Sequence, residues 1–323
     1  LWTGGYPDRV TGVGMTAGGY WYESRPKQWN ASISTRGNFD LLGREHELIV
    51  GGNYRHYTSG WTNRDPVAGA PIGDFNTWDG SKHPEPVWGN RYRMSGFGAT
   101  EQYAVYGAAR LQLLDPLKLI AGARVSWWQR DEDVALYTPA AFTIRHNGRV
   151  TPYAGLVFDL TGNLSAYVSY TSIFNPQDAK DRNGNYLPPV VGNNYEAGLK
   201  GEWMNGRLRA SAAIFRIEQD NFAVVDEGHF IPGTTPPAPA MRPARGTVSE
   251  GYEAELAGEI LDGWDLSLGW SAFRAKDANG DHVQAHHPRR VLRLATRYDF
   301  RGMFDAFSLG GSARWGSGPP KTA

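Results

Sequence analysis

The sequence contains no cysteine. That excludes a disulfide scaffold and thiol catalysis, and it suits a chain of the oxidising cell envelope. No apolar run approaches the roughly 18 residues of a membrane helix. Lysine plus arginine equals aspartate plus glutamate at 33 each, so no field of one sign points to nucleic acid or to an acidic partner. Catalytic signatures are missing as well. There is no G-x-S-x-G elbow and no phosphate loop, and the glycines from Gly12 to Gly19 do not stand between a buried parallel strand and a helix, so they are not a dinucleotide site. Leu1-Trp2-Thr3-Gly4 does not read as a start, and the expectation is a mature chain or a piece of a longer one.

What is present is glycine and aromatic residues: 40 Gly, 16 Tyr and 12 Trp in 323 residues. Together they suit strands that pack closely and anchor at a membrane interface. The mean hydropathy of -0.48 resembles that of a soluble protein, but a transmembrane β-barrel hides from that test because half of each strand is polar. The stretch Gly192 to Phe222 carries the pattern. Tyr195, Ala197, Leu199, Gly201 and Trp203 alternate with Asn194, Glu196, Gly198, Lys200 and Glu202, the period of a strand with one greasy face and one wet face. Asn205-Gly206 is a hairpin signal, since both turn positions need positive φ. A two-residue turn there sets Trp203 opposite Leu208, Leu199 opposite Ala212, Ala197 opposite Ile214, and Glu202 opposite Arg209 as a pair of opposite charge.

The same alternation recurs along the chain. Residues 1 to 27 are ambiguous, with one strand expected from Val13 to Tyr22; further strands follow around Ile33, Val50, Val105, Ala123, Leu156, Val168, Leu256, Leu268, Leu294 and Ala313. Short connections are expected near residues 43, 115, 162, 205, 262 and 302, and long ones near 78, 140, 183, 235 and 283. The long ones are Thr58 to Phe97, Asp131 to Gly148, Phe174 to Gly192, Val224 to Gly246 and Lys276 to Arg290. Short turns on one side and long loops on the other describe a barrel with periplasmic turns and extracellular loops. The run Thr234-Thr235-Pro236-Pro237-Ala238-Pro239 cannot supply ladder donors and is expected outside any sheet. Tyr195-Glu196-Ala197-x-Leu199-x-Gly201-Glu202 recurs as Tyr252-Glu253-Ala254-x-Leu256-x-Gly258-Glu259. We read it as one strand task performed twice, because the turns are too unevenly spaced for propeller blades.

Several pieces together resemble one family. They are Phe39-Asp40-Leu41-Leu42-Gly43-Arg44-Glu45-His46-Glu47-Leu48, Tyr170-Thr171-Ser172-Ile173-Phe174-Asn175-Pro176-Gln177, the Gly192 to Phe222 hairpin, Ser249-Glu250-Gly251-Tyr252-Glu253 with its partner from Gly263-Trp264, and Pro288-Arg289-Arg290 before a strand. In this order they are similar to the barrel of TonB-dependent ferric-siderophore receptors, in particular those for pyoverdine, alcaligin and coprogen-type hydroxamates. The resemblance implies an all-β fold: an antiparallel transmembrane barrel of 22 strands with a plugged lumen. It implies a place in the outer membrane of a Gram-negative bacterium, a ferric siderophore as transported ligand rather than cofactor, and energy supplied by TonB through a plug. About 12 strands, at most 13, are legible here, with no counterpart of the plug, the TonB box or the terminal aromatic residue. An open sheet in lipid leaves two unpaired edges, each unsatisfied group costing several kcal/mol. Residues 1 to 323 are therefore expected to be a single partial barrel domain, a fragment of a receptor.

The resemblance places ligand binding at the extracellular mouth, through aromatic and polar side chains. The candidates are Trp61, Trp78 and Trp88 with Arg91 in the longest loop, Trp128, and Phe174 and Asn175 at the start of another loop. Trp61, Trp78 and Trp88 are equally explained by loop self-packing or an aromatic girdle. Trp127 and Trp128 must face opposite ways: strand parity sends Trp127 to lipid and Trp128 to the lumen. Glu253 and Glu255 share a strand face, which a solvated lumen wall explains better than catalysis. Asp277-Ala278-Asn279-Gly280-Asp281 resembles a calcium loop, but Pro288 stands where the bidentate glutamate belongs, so a plain Asn-Gly turn is expected. His282, His286 and His287 lack companion carboxylates and read as surface residues rather than metal ligands. The competing functions are a passive porin-like channel and a soluble β-rich carbohydrate-binding protein; a barrel lipase is opposed by the missing nucleophile motif. The sequence leaves open which siderophore is meant, and also haem, cobalamin or a nickel chelate.

Overall fold

The computed structural model describes residues 2–4, 6–19, 21–67, 70–79, 87–135, 139–244, 246–283 and 287–318, and the side chains of all of these except 2–4, 17–18, 70, 90–95, 134–135 and 139–140. The strands in chain order are β1 (Trp2–Gly4), β2 (Thr16–Gly18), β3 (Trp21–Leu41), β4 (Arg44–Pro66), β5 (Ala70–Pro71), β6 (Trp88–Leu114), β7 (Leu117–Ala135), β8 (Pro139–Asp159) and β9 (Leu164–Asn175). They continue as β10 (Val190–Trp203), β11 (Leu208–Asp220), β12 (Phe222–Phe230), β13 (Pro239–Ala244), β14 (Thr247–Leu261), β15 (Trp264–Lys276), β16 (Arg290–Asp299) and β17 (Ser308–Gly316). Twelve of them form one sheet in the order β17-β16-β15-β14-β11-β10-β9-β8-β7-β6-β4-β3. That is an up-and-down meander in which every strand pairs with its neighbour in sequence. The exceptions are β5 and β12–β13, which leave the sheet within the long connections. Among the described residues no helix is long and apolar enough to cross a membrane.

The twelve strands match the expected number, and the registers agree residue for residue with those derived from parity. Trp203 pairs with Leu208, Leu199 with Ala212, Ala197 with Ile214, and Glu202 with Arg209, whose guanidinium lies 3.3 Å from the carboxylate. The turn itself differs from the expected two residues. It spans Met204 to Arg207, with φ of 54°, 56° and 86° at Met204, Asn205 and Gly206. The register survives because adding one unpaired residue to each side keeps the same partners opposite. Leu42 and Gly43, with φ of 54° and 73°, close the first hairpin as a primed turn does. The last short connection holds eight residues between Asp299 and Ser308, with a 3-10 turn at Gly302–Phe304.

Three expected loops are corrected. β4 runs to Pro66 and β6 starts at Trp88, so Trp61 and Trp88 stand on strands, and β5 lies in the connection between these two strands. β7 and β8 extend through most of the expected loop from Asp131 to Gly148. The Val224 to Gly246 segment contains the hairpin β12–β13, with Pro239 and Pro243 in its second strand. The cause is common to all three. Ladder pairing continues beyond the lipid, where both faces meet water and hydrophobic alternation fades while strand geometry persists. In the N-terminal stretch the expected strand from Val13 to Tyr22 is instead β2 followed by the start of β3, and β1, β2 and β5 form a small separate sheet.

The chain divides into two compact units. The first comprises Leu1–Ser32, Asn53–Tyr103 and Trp127–Asn147, and the second comprises Ile33–Gly52, Ala104–Ser126 and Gly148–Ala323. In the second unit the two faces of the sheet are chemically distinct. One face carries Ile33, Ile214 and Leu309, which are 79%, 65% and 69% exposed. Among the described residues no large side chain is fully buried, so these apolar residues have no core to enter. In water such a face would be an aggregating patch; against lipid it is an ordinary solvated surface.

The opposite face is built from glycines covered by rings. A Cβ at Gly51 would lie 2.6 Å from the Tyr106 ring, at Gly122 2.7 Å from Tyr153, at Gly198 2.8 Å from Tyr167, and at Gly251 2.7 Å from Phe215. Each aromatic residue lies flat over the bare backbone of a neighbouring strand. Glycine in a strand costs about 0.5–1 kcal/mol in backbone entropy, and the ring offsets this by covering the exposed peptide. At the short-turn end, ion pairs link one hairpin to the next: Arg44 with Asp115, Lys118 with Asp159 at 2.6 Å, Arg207 with Glu259 at 2.8 Å, and Arg301 with Asp262.

At the long-loop end of the second unit, segment 176–189 and the β12–β13 hairpin make a small polar cap. Arg182 grips Asp226 through two bonds of 2.8 Å. Gln177 donates to the Pro188 and Asn221 carbonyls. Leu187, Val190, Ala240 and Ala244 are buried beneath. The Asp181 carboxylate accepts the Asn185 and Asn183 amides at 2.8 and 2.9 Å, which hold it below the ordinary carboxylate range. Its contribution is therefore complete at neutral pH and is lost as pH falls through that depressed value.

Two outcomes follow from this packing. Gly198→Val forces the Tyr167 ring off its seat and crowds the Ala212 carbonyl, 2.5 Å from the new Cβ. It is expected to lower the melting temperature of the detergent-solubilised protein by about 3 °C or more, followed by the loss of strand circular dichroism; an unchanged midpoint would refute the ring-on-glycine account. Arg182→Ala strips the Asp226 carboxylate, only 10% exposed, of its guanidinium partner and leaves it His229 at 3.5 Å. Limited proteolysis should then cut within 176–189 and 222–244 at least several-fold faster while the main sheet stays intact, and equal cutting rates would show that the cap does not depend on this pair.

Candidate ligand-binding face

The expected site residues fall in both units. In the first unit, Trp61 on β4 and Tyr22 on β3 stack with ring centroids 6.2 Å apart at 26°. Trp61 also lies over Gly96 of β6, where an added Cβ would be 2.7 Å from the indole nitrogen. Three strands thus build one flat aromatic surface, and the absent side chain at 96 is what lets the indole lie down. Tyr54, seven residues before Trp61 on the same strand, has the opposite parity. Its hydroxyl donates to Glu101 at 3.0 Å.

β7 resolves the adjacent tryptophans as expected. Trp127 stacks on Tyr103 with centroids 5.1 Å apart at 13°, on the face shared by Tyr54 and Glu101. That is the position and chemistry of an interface girdle. Trp128 points the other way and stacks on His146 of β8 at 5.7 Å. Trp61 and Trp128 therefore belong to the same, inner face of this unit. Among the described residues their rings do not touch each other.

The remaining candidates are less favourable. Trp78 stands in the turn after β5, 6.2 Å from Phe75. That turn packs on the N-terminal segment, where the Phe75 amide donates to the Gly12 carbonyl at 2.8 Å. Trp88 packs at 6.3 Å on Trp21, and the Arg64 guanidinium lies 4.6 Å over the Trp21 ring. The Arg91 side chain lies outside the described residues. In the second unit, Phe174 pairs with Val191 in a regular ladder, which gives it the parity of Tyr170. Tyr170 packs on Tyr195, 5.6 Å away, on the outward face. Phe174 therefore points away from the lumen, with the Arg149 guanidinium 5.9 Å over its ring. Asn175 has the inner parity.

The Asp277 loop behaves as a turn. Asp277 accepts the amides of Asn279 and Asp281 at 2.9 and 3.0 Å, and Gly280 takes φ 87°. Among the described residues no group of His, Cys, Asp or Glu is arranged to hold a metal; His286 lies outside them. Tyr22, Gly96 and His146 were not anticipated as site residues. Parity would have placed Tyr22 and His146 had the strands been drawn long enough. Gly96 carries no signal in sequence, because its meaning depends on the indole across from it.

Comparison with known proteins accounts for the fold. The family model described as TonB dependent receptor-like, beta-barrel matches residues 2–322. The ferric-pyoverdine 358 receptor of Pseudomonas putida is 36% identical over 310 residues, covering 91% of this chain. The ferripyoverdine receptor of Pseudomonas aeruginosa is 37% identical over 300 residues, also 91% of this chain. The chain spans about 36% of the length of each of these relatives. The crystal structure of the Pseudomonas aeruginosa ferripyoverdine receptor bound to ferripyoverdine superposes with a TM-score of 0.80 at 34% identity, over 97% of this chain and 41% of that one. The alcaligin outer membrane receptor FauA of Bordetella pertussis gives 0.72 at 31% identity, over 94% of this chain and 48% of that one. The chain belongs to the TonB-dependent receptor β-barrel family.

Proposed function

We propose that the receptor containing this chain takes up a ferric siderophore of the pyoverdine type across the outer membrane, driven by TonB. Residues 1 to 323 serve as part of its barrel wall, a single partial barrel domain. The observation that carries the reading is that four relatives at 33–37% identity are ferric-pyoverdine receptors. The geometry supports it. An uptake receptor must bind a bulky, flat, partly conjugated chelate before moving it, which calls for rigid aromatic surfaces rather than a bare channel. Trp61 seated on Gly96 and Tyr22, and Trp128 on His146, are such surfaces: their rings are already ordered by packing, so ligand stacking costs little further entropy. A passive porin has no need of them. Iron enters as cargo, enclosed in its chelate, so the wall requires no metal ligands of its own.

In this role Trp61 and Trp128 contact the ligand from the inner face of the first unit. Trp78, Trp88 and Arg91 stand nearer the outer loops and contribute to its capture. Phe174, on the outward parity, is the member of the original set that ligand binding does not use. Stacking on one indole is worth about 0.5–1.5 kcal/mol, up to roughly tenfold in affinity. Trp61→Ala and Trp128→Ala in the intact receptor should each weaken ferric-pyoverdine binding by about fivefold to tenfold, while Phe174→Ala leaves it unchanged. Tryptophan-fluorescence quenching by a panel of ferric hydroxamates, catecholates and pyoverdines measures this directly. Absence of quenching by every member of the panel would remove the siderophore reading.

A further inference from the structure

On the outward face of the first unit a cavity of about 450 Å³ opens beside the girdle rings. Tyr103 of β6 and Trp127 of β7, stacked 5.1 Å apart, form its aromatic wall. Glu101, Gln129, Arg145 and Asn147 line it with polar groups. Glu101 and Gln129 each stand two residues from a ring, toward the long-loop end of their strands. These side chains are held from behind. The Tyr54 hydroxyl donates to Glu101 at 3.0 Å. Gln129 donates to Asp131 at 2.7 Å and accepts from Arg145 Nε at 3.0 Å, and Asp131 also accepts from Thr143 at 2.6 Å. Among the described residues the two terminal nitrogens of Arg145, one oxygen of Glu101 and the side-chain amide of Asn147 remain without a partner. The polar groups are therefore ordered before anything binds, which keeps the entropy cost of binding low.

The outward rings of the second unit serve differently. Tyr170 and Tyr195 border a furrow floored by Leu156, Val168, Ala197 and Ile214, and where Arg216 and Glu250 border it they are bonded to each other. That is a seat for acyl chains. In the first unit the polar groups are open, and charge decides what they suit. Glu101 in the cavity and Asp131 behind Gln129 outweigh the one guanidinium of Arg145, so a phosphate or carboxylate meets net negative charge. A neutral polyol meets an acceptor-only carboxylate, a donor-only guanidinium and amides that do both. The aromatic wall suits the apolar C–H face of a pyranose ring.

We propose that this cavity binds one sugar ring from the headgroup of an outer-leaflet glycolipid. The ring packs against Trp127, its hydroxyls donate to Glu101, and they accept from Arg145 and Asn147. The source is the membrane because the cavity opens on the face that carries the girdle, at the height where headgroups begin. A glycolipid held there ties its headgroup to β6, β7 and β8 together, since Glu101, Trp127 and Arg145 come from three strands. The inference rests on the outer-membrane placement of the chain and not on the uptake reading.

Intact receptor in detergent, titrated with rough lipopolysaccharide and followed by native mass spectrometry, tests this. The double variant Glu101→Gln/Arg145→Gln is expected to weaken the tightest lipopolysaccharide site about tenfold, and equal affinity in variant and wild type overturns the proposal. Three further ligands fix the source and the chemistry. Phosphatidylethanolamine bound as tightly as lipopolysaccharide makes the cavity a general lipid contact. The delipidated core saccharide bound as tightly removes the membrane from the account. Displacement by inorganic phosphate makes it an anion site. Each of these results overturns the proposal, and the expected result is weak binding of all three. Should the double variant melt early without lipid, Trp127→Phe, which keeps a ring at the interface, carries the same test with about a threefold loss expected, and no loss is again fatal. Ferric-chelate binding, scored separately, is expected to be unchanged in these variants, so the glycolipid site and the uptake reading fail independently.

Discussion

Every backbone amide and carbonyl of a strand in lipid must find its partner in another strand. Water is absent there, and each group left over costs several kcal/mol. The meander from β3 to β17 answers this constraint with nearest neighbours: each strand is paired by the one that follows it, through the shortest turn the geometry allows. Once pairing is fixed, parity is fixed, and parity decides what each residue touches. Lipid takes Ile33, Ile214 and Leu309. The other face takes the charged residues, the glycines and the rings laid over them. Nothing in this wall needs a conventional core, and among the described residues no large side chain is fully buried.

The inner face solves a different problem. A face turned to water cannot be lined throughout with long apolar side chains. Glycine makes room but weakens a strand. Tyr106, Tyr153, Tyr167 and Phe215 restore what Gly51, Gly122, Gly198 and Gly251 take away: each covers the bare backbone of its neighbour and stiffens the sheet across the strand direction. Trp61 on Gly96 is the same device in the first unit. There the ring does double duty as packing and as candidate ligand surface, because it is already held flat.

Much of this was legible in the sequence, for a physical reason. Where lipid meets one face and water the other, the two-residue period is enforced at every position, so the Glu202–Arg209 and Ala197–Ile214 pairings could be written from parity alone. Beyond the lipid the enforcement stops. β4, β6, β7 and β8 continue as strands with no hydrophobic alternation to reveal them, and Trp61 and Trp88 therefore looked like loop residues. The β12–β13 hairpin was hidden in the same way, its second strand containing prolines tolerated because the pair is only two strands wide. The site was legible where it depended on parity, as for Trp127 and Trp128. It was illegible where it depended on a contact across strands, as for Gly96 under Trp61.

Charge placement differs between the ends and faces of the wall. At the short-turn end the acids and bases are matched hairpin to hairpin, as in Lys118 with Asp159 and Arg207 with Glu259. On the outward face Glu250 is matched twice over. These pairs are exposed and individually worth little; their value is in holding adjacent hairpins in register where no lipid enforces it. The inner face carries both arrangements: Glu202 is matched with Arg209 across one hairpin, while Arg293 and Arg314 stand opposite each other.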